Sequence, residues 1–417
     1  MKISNVIIPA ALRGFSVPAG TPEHAPFDIY IENSAVVQVS IARVATNNIA
    51  SGILIPALAD VHVHIDKTYV VNEVGAADGD LYKAIGLMAE HRARWTAQDI
   101  ATRMERALQD AYAHGTRALR THLDWPQRDQ PTSLKVFEQL RDAWRGRITL
   151  QCVALTPLDF FDTEQQSAFD SEDLALEVAC ADQTCNKALG EAALLGAFVY
   201  RNERIYDKLQ RVFDLAMKNN LHLDFHVDEG LDADARGLRA IAELTIKNNY
   251  HGKVTCGHAC SLSVQPVDEA MQTLKLCAQA GIHLVALPTT NLYLQGAWNA
   301  TPVERGITRI KEAIVQGLST SIATDNVADG FYPYGSYDLL ASFALGVQVA
   351  HLSPAVDSLT TITTHPARAM GLPWDGMIDA GCPADFVLLA ARNTYELVNA
   401  AGLRRQVIRA GVVVSTI

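Results

Sequence analysis

The chain has 417 residues, 49% of them hydrophobic and 19% charged, with a net charge of −11 at pH 7. That length allows a large core and more than one ordinary domain, although a single barrel can take up about 250 residues or more. The composition excludes a disordered chain, no apolar stretch reaches the roughly 18 residues a membrane span needs, and no basic block is present to pair phosphates, which argues against a nucleic-acid surface.

In chain order, MKISNVIIPAALRGFSVPAG has a short apolar part interrupted by Pro9 and Arg13, so it reads as an edge strand and turn rather than a signal peptide. Residues 27–50 are strand-like with turns and little helix. At 55–68 the chain reads IPALADVHVHIDKT. On a strand, His62, His64 and Asp66 share one face, because side chains alternate with a period of two. Neutral imidazole is a common ligand for zinc and iron. An isolated H-x-H also suits hydrogen-bonded core histidines, and only the rest of the chain separates the two.

Eight apolar, β-rich runs follow: ILIPALADVHVH, TRALRTHLD, ITLQCVALT, ALLGAFVY, LHLDFHVDE, KVTCGHAC, IHLVALPTT and LSTSIATDN. Between them lie stretches such as RIYDKLQRVFDLAMKNN and RGITRIKEAIVQG, with apolar residues at helical spacing and Asn or Gly at the end. The alternation predicts an α/β fold, a (β/α)8 TIM barrel over residues 56–374. No G-x-G-x-x-G follows a strand, which weakens a dinucleotide-binding reading. The two ends, 1–55 and 375–417, carry strands without intervening helices and predict a separate small β-domain. Seven cysteines (152, 180, 185, 256, 260, 277, 382) form no C-x-x-C pair, so they read as buried thiols in a reducing cytoplasm rather than as a structural zinc site.

Polar residues recur where the runs stop: His62 and His64; Arg120, His122 and Asp124; His226, Asp228 and Glu229; His258; Asp325 and Asn326. In a parallel barrel these ends meet in one mouth. His62, His64, His226 and Asp325 then make a three-imidazole, one-carboxylate set suited to one divalent zinc or iron. For each residue alone a bland account exists, a core histidine for His226 or a turn aspartate for Asp325.

The stretches PALADVHVHID, RALRTHLD, HVDEG, GHA, LPTTNLYLQG, RGITRIKEAIVQG and TDNVADGFYPYG resemble the cytosine deaminase branch of the amidohydrolase superfamily over nearly the whole chain. The resemblance implies that His62, His64, His226 and Asp325 bind one metal, that Glu229 shuttles a proton and that His258 orients the attacking water. It also implies that the chain ends build a β-sandwich. A divalent cation lowers the pKa of bound water toward about 7; Asp325, with His258 beside it, can take the water proton and Glu229 can protonate the ring nitrogen. Superfamily branches with two metals carry a strand-four lysine, and ALLGAFVYRN has none, which favours one metal. Lys67 reads as a charge or hydrogen bond at the mouth. His122 reads either as pocket lining or as a buried hydrogen bond.

Three departures fall in the expected substrate pocket. Pro157 stands where the family has a glutamine that reads the pyrimidine edge, Asn326 replaces a second aspartate, and Phe331 replaces a tryptophan. With His122 these are the expected substrate-binding residues. The resemblance implies deamination of a free pyrimidine base, cytosine or a base enlarged at ring carbon 5 such as 5-methylcytosine. Alternatives are an aminohydrolase of a triazine, isoguanine, another amino-purine or creatinine, and a non-catalytic scaffold. The other zinc deaminases, with H-x-E and P-C-x-x-C on a different fold, are not matched. A small-molecule nucleobase partner, no nucleic-acid or membrane partner, a cytoplasmic homo-oligomer and one Zn2+ or Fe2+ complete the expectations.

Overall fold

The computed structural model describes residues 1–42, 51–126, 130–162, 194–399 and 403–417; Cys180 and Cys185 lie outside them. The chain begins with β1 (Lys2–Ile7), β2 (Pro26–Glu32), β3 (Ala35–Ile41) and β4 (Gly52–Pro56). Eight barrel strands follow: β5 (Leu58–Val63), β6 (Thr116–Asp124), β7 (Thr149–Pro157), β8 (Leu194–Val199), β9 (His222–Val227), β10 (Val254–His258), β11 (His283–Ala286) and β12 (Ser319–Ile322). The last strands are β13 (Phe386–Leu389), β14 (Arg405–Arg409) and β15 (Val412–Thr416).

β5 to β12 form one parallel sheet in sequence order. It curls until Val63 and Asp325 form a parallel bridge, and the Asp325 N–H donates to the His62 carbonyl at 2.9 Å. Intervening helices are amphipathic; Ile205–Asn219 buries Leu209, Val212, Phe213 and Ala216 against the barrel and stops at Asn220, a left-handed cap. This is the (β/α)8 barrel the alternation predicts.

The other seven strands form a second sheet in the order β15-β14-β13-β4-β1-β2-β3, joining both ends of the chain. Hydrogen bonding links them in one series, around a small core of Val6, Ile8, Phe27, Ile29, Leu54, Phe386 and Ile408. β1 is not the edge strand its short apolar stretch suggested. It lies between β4, which it parallels, and β2, which it opposes. The run ILIPALADVHVH is also two strands. Its first half joins β13 and β1 in the second sheet, and after Ala57 its second half joins β6 in the barrel. Both halves are fully buried, so their apolar patterns run together without a break.

The barrel interior is polar below its mouth. Arg120, His122, Gln151, Asp224 and His283 are all buried there, where parallel barrels usually stack branched apolar side chains. His283 lies 2.9 Å from the Ser319 hydroxyl and 2.8 Å from that of Ser321. No helix among the described residues is long and apolar enough to cross a membrane.

Candidate metal centre and active site

His62 on β5 and His64 just after it point inward with the parity the sequence implies. His226 comes from β9, and Asp325 from the turn after β12. Four atoms converge. His226 Nε2 is 3.1 Å from both His62 Nε2 and His64 Nε2, while Asp325 Oδ1 is 3.2 Å from His64 Nε2 and 3.6 Å from His62 Nε2. Ligands about 2.1 Å from a tetrahedral ion would stand about 3.4 Å apart, so the set fits one divalent ion. Burial, followed by neighbouring positive charge, holds the His62 and His226 imidazoles well below their usual value, and burial lowers His64 to about 4. All three are therefore neutral, the state in which imidazole binds a metal, and His64, with Nδ1 toward the His122 carbonyl, turns a free Nε2 lone pair to the set. Burial alone would raise the Asp325 carboxyl, but His64 and the charges nearby bring it below the usual range.

Gly257 on β10 makes room for this set. A Cβ there would stand 2.8 Å from His62 Cε1 and 2.9 Å from Nδ1. Several strand ends hold non-glycine residues in the left-handed region: Asp228 (φ 49°), His258 (φ 70°), Ala259 (φ 51°) and Asp325 (φ 64°). Such backbone persists only where its surroundings enforce it, and it clusters at functional sites.

Glu229 follows β9 in a loop fixed by its neighbour. The Asp228 carboxylate accepts from the Gly237 and Leu238 N–H groups at 3.0 and 2.9 Å, capping the helix Gly237–Lys247. Glu229 itself faces the cavity, where burial and then the Asp325 charge push its carboxyl well above the usual range. His258 Nδ1 lies 3.5 Å from Glu229 Oε1 and 3.0 Å from Asn291 Nδ2. An Asn291 N–H donating there leaves the proton of a neutral His258 on Nε2. Asn291 sits on the helix Pro288–Leu294, inside the quoted LPTTNLYLQG stretch, yet sequence spacing did not single it out.

A cavity of about 180 Å³ opens over the set. Its walls are largely apolar and aromatic, including Met88, Trp125, Leu155, Phe198 and Phe331, and Pro157 and Asn326 also line it. The Asn326 amide donates to Asp329 at 2.7 Å, and Asp329 also accepts from the Phe331 and Tyr332 N–H groups. A second aspartate at 326 would set two carboxylates against each other, so asparagine suits this loop. Lys67 lines the same cavity, paired with Asp124 at 2.9 Å and standing 4.8 Å from the Phe331 ring. Burial opposes its charge, but Asp124, Asp66 and Asp329 together keep it protonated. Arg92 reaches the same Asp124 carboxylate.

His122 is not among the residues lining this cavity. It lies in the barrel interior beneath the cavity, with its Nε2 3.2 Å from Asp224 Oδ1, and so stands apart from the other expected substrate-binding residues. The reason is depth, since Asp124, with the same parity, does line the cavity. His122 points inward two residues before the end of β6, one layer below the mouth.

A sequence profile described as "Amidohydrolase family" matches residues 160–415. The chain is 36% identical over 421 residues to a pterin deaminase of Rhizobium rhizogenes, covering 99% of this chain and 93% of that one. Among solved structures it resembles a 5-methylcytosine deaminase of Klebsiella pneumoniae, with TM-score 0.82, 23% identity, and coverage of 100% of this chain and 98% of that one. It also resembles an N-isopropylammelide isopropylaminohydrolase of Burkholderia multivorans, with TM-score 0.73, 22% identity, and coverage of 100% and 98%.

Proposed function

The chain belongs to the amidohydrolase family, and from that premise we propose that it is a metal-dependent hydrolytic deaminase of a pterin-type ring, a planar bicycle whose amino-bearing carbon lies between two ring nitrogens, one of which links it to a carbonyl. The observation that carries this substrate is the full-length relationship to a pterin deaminase. The cavity supports it. Aromatic and aliphatic walls (Trp125, Phe198, Phe331, Met88) suit a flat ring, and Lys67 offers ammonium hydrogens to a ring carbonyl where Pro157 has no amide to do so.

In this reading His62, His64, His226 and Asp325 hold one divalent ion, zinc or iron, which when bound makes water a nucleophile near neutral pH. Asp325 Oδ2 accepts the proton that water gives up. His258 Nε2–H orients the oxygen arriving at the amino-bearing carbon. Glu229, kept protonated by its surroundings, gives its proton to the neighbouring ring nitrogen, so the tetrahedral carbon forms without stranded negative charge. Asp325 returns its proton to the amine, which departs as ammonia, and the proton of the new hydroxyl goes back to Glu229. Overall one water enters, one ammonia leaves, and the amino-bearing carbon becomes a carbonyl.

Cytosine or 5-methylcytosine is the second reading, favoured by the motif stretches of that deaminase branch and by Phe331 at the cavity wall, where a smaller ring with a methyl group would lie. The test is kcat/KM by ammonia release for pterin, cytosine, 5-methylcytosine, isocytosine, isoguanine and creatinine on metal-replete enzyme. Pterin is expected to lead. Cytosine or its 5-methyl form exceeding pterin tenfold would replace the first reading with the second.

A further inference from the structure

Metal-bound histidines almost always donate their second ring N–H to a carboxylate, carbonyl or water, which fixes the ring and its tautomer. His64 does so, its Nδ1 lying 3.2 Å from the His122 carbonyl oxygen. His62 and His226 do not. Their Nδ1 atoms are buried and lack a hydrogen-bond partner. No protein hydrogen bond orients these two rings.

Three rings stand against both, His64, His258 and, nearest to each, His122. The His122 ring stands 4.1 Å from His62 at an interplanar angle of 37°, and 4.7 Å from His226 nearly edge-on at 83°. It is wedged between ligands supplied by β5 and β9, which are not neighbours in the barrel. The wedge is itself anchored. Asp224, two residues before His226 on β9, faces His122 Nε2 at 3.2 Å and accepts from Arg120 Nη1 at 2.8 Å. Arg120 also donates to Gln151 at 3.0 Å and to the Ala369 carbonyl at 3.0 Å, and Gln151 donates to the Met370 carbonyl at 2.7 Å. A buried ion pair contributes little to stability compared with apolar side chains of the same volume, so stability alone does not account for this polar layer.

We infer that His122 is a positioning residue for the metal ligands His62 and His226, held in place by Asp224 and Arg120. The inference rests on the reading of the four-atom set as a metal centre. His122 touches neither the cavity nor the reacting ring; it sets the angle at which two imidazoles present Nε2.

The test is metal affinity by chelator competition on the full chain, with the visible spectrum of the cobalt-substituted protein as a geometric readout. His122→Phe keeps the ring volume and leaves the Asp224–Arg120 pair intact, but cannot bond to Asp224. It is expected to weaken zinc binding about 10- to 100-fold and to change the cobalt spectrum. The melting temperature of the metal-free protein should stay close to wild type. His122→Gln, which can donate to Asp224 again, should recover part of the affinity. Unchanged affinity and spectrum in His122→Phe would overturn the inference while leaving the metal centre standing, whereas wild-type protein that binds no metal would overturn both. A purely structural role would lower the melting temperature of the metal-free protein without altering the cobalt spectrum, which also overturns it.

Discussion

Glu229 and Asp325 share one buried site, yet their surroundings push them in opposite directions, Glu229 upward by burial and Asp325 downward by its contacts with His64 and nearby charge. Two carboxyl groups driven apart in this way make an acid and a base. Glu229→Gln is therefore expected to keep the metal and the fold and to lower kcat by about 10²- to 10⁴-fold; elemental analysis beside ammonia release checks both halves. Deeper in the barrel, burial and then the charges of His365 and Arg120 lower the His283 imidazole to about 3. In the unfolded chain it returns to about 6.5. Its contribution to stability is thus present above pH 6.5 and is lost as the pH falls toward 3, because only the unfolded state takes up the proton. His283→Gln, which can still bond to Ser319 and Ser321, should flatten the unfolding free energy between pH 6 and 4 by up to about 1.4 kcal/mol per pH unit, read by denaturant titration at each pH. At this scale His62, His64, His226, Asp325, Glu229 and His258 were legible, since each ends an apolar run. Asn291 and Asp224 were not. Their partners lie on other strands, and no spacing along the chain records that contact.

Among the elements, β10 has little tolerance for a side chain at Gly257, which faces the His62 ring. Gly257→Ala should displace that ligand. Metal content below one equivalent by elemental analysis is expected, together with the loss of about 1–3 kcal/mol typical of an overpacked core. The barrel strands were legible as apolar runs, and the helix Ile205–Asn219 as a periodic stretch with its stop at Asn220. Boundaries were less so. LPTT ends a run that looks like strand, yet Pro288 opens a helix, because proline suits a first helical turn. RGITRIKEAIVQG has helical spacing throughout, but only Ile310–Val315 is helical; just before it the Thr308 hydroxyl donates to the His258 carbonyl at 2.6 Å and the Arg309 side chain to the Leu262 carbonyl at 2.7 Å, tying the segment to the strand-six loop.

For the whole molecule, the seam between β5 and β12 runs through the candidate metal centre itself. Among the described residues it is closed by the Val63–Asp325 bridge, by the Asp325 N–H on the His62 carbonyl, and by Thr324 on the Asp60 carboxylate at 3.1 Å. An ion held by His62, His64 and Asp325 ties both sides of that seam. Chelation is expected to speed hydrogen exchange at the Thr324 and Asp325 amides before other strands respond. It should also lower stability by about 2.7 kcal/mol relative to protein held at a hundredfold excess of metal over its dissociation constant, which calorimetry with and without chelator measures. The fold class was legible because strand and helix alternate for more than three hundred residues, but the joining of both ends in one sheet has no local signature. That joining sets the order of manufacture. β4 runs through Ala57 into β5, the strand that carries His62, yet β4 finds its partner β13 only at Phe386–Leu389. At 5–20 residues per second a ribosome takes on the order of tens of seconds to make the intervening chain. Throughout that time β4 has one flank unsupported, so the strand that leads straight into the histidine pair is translated among the first and paired among the last.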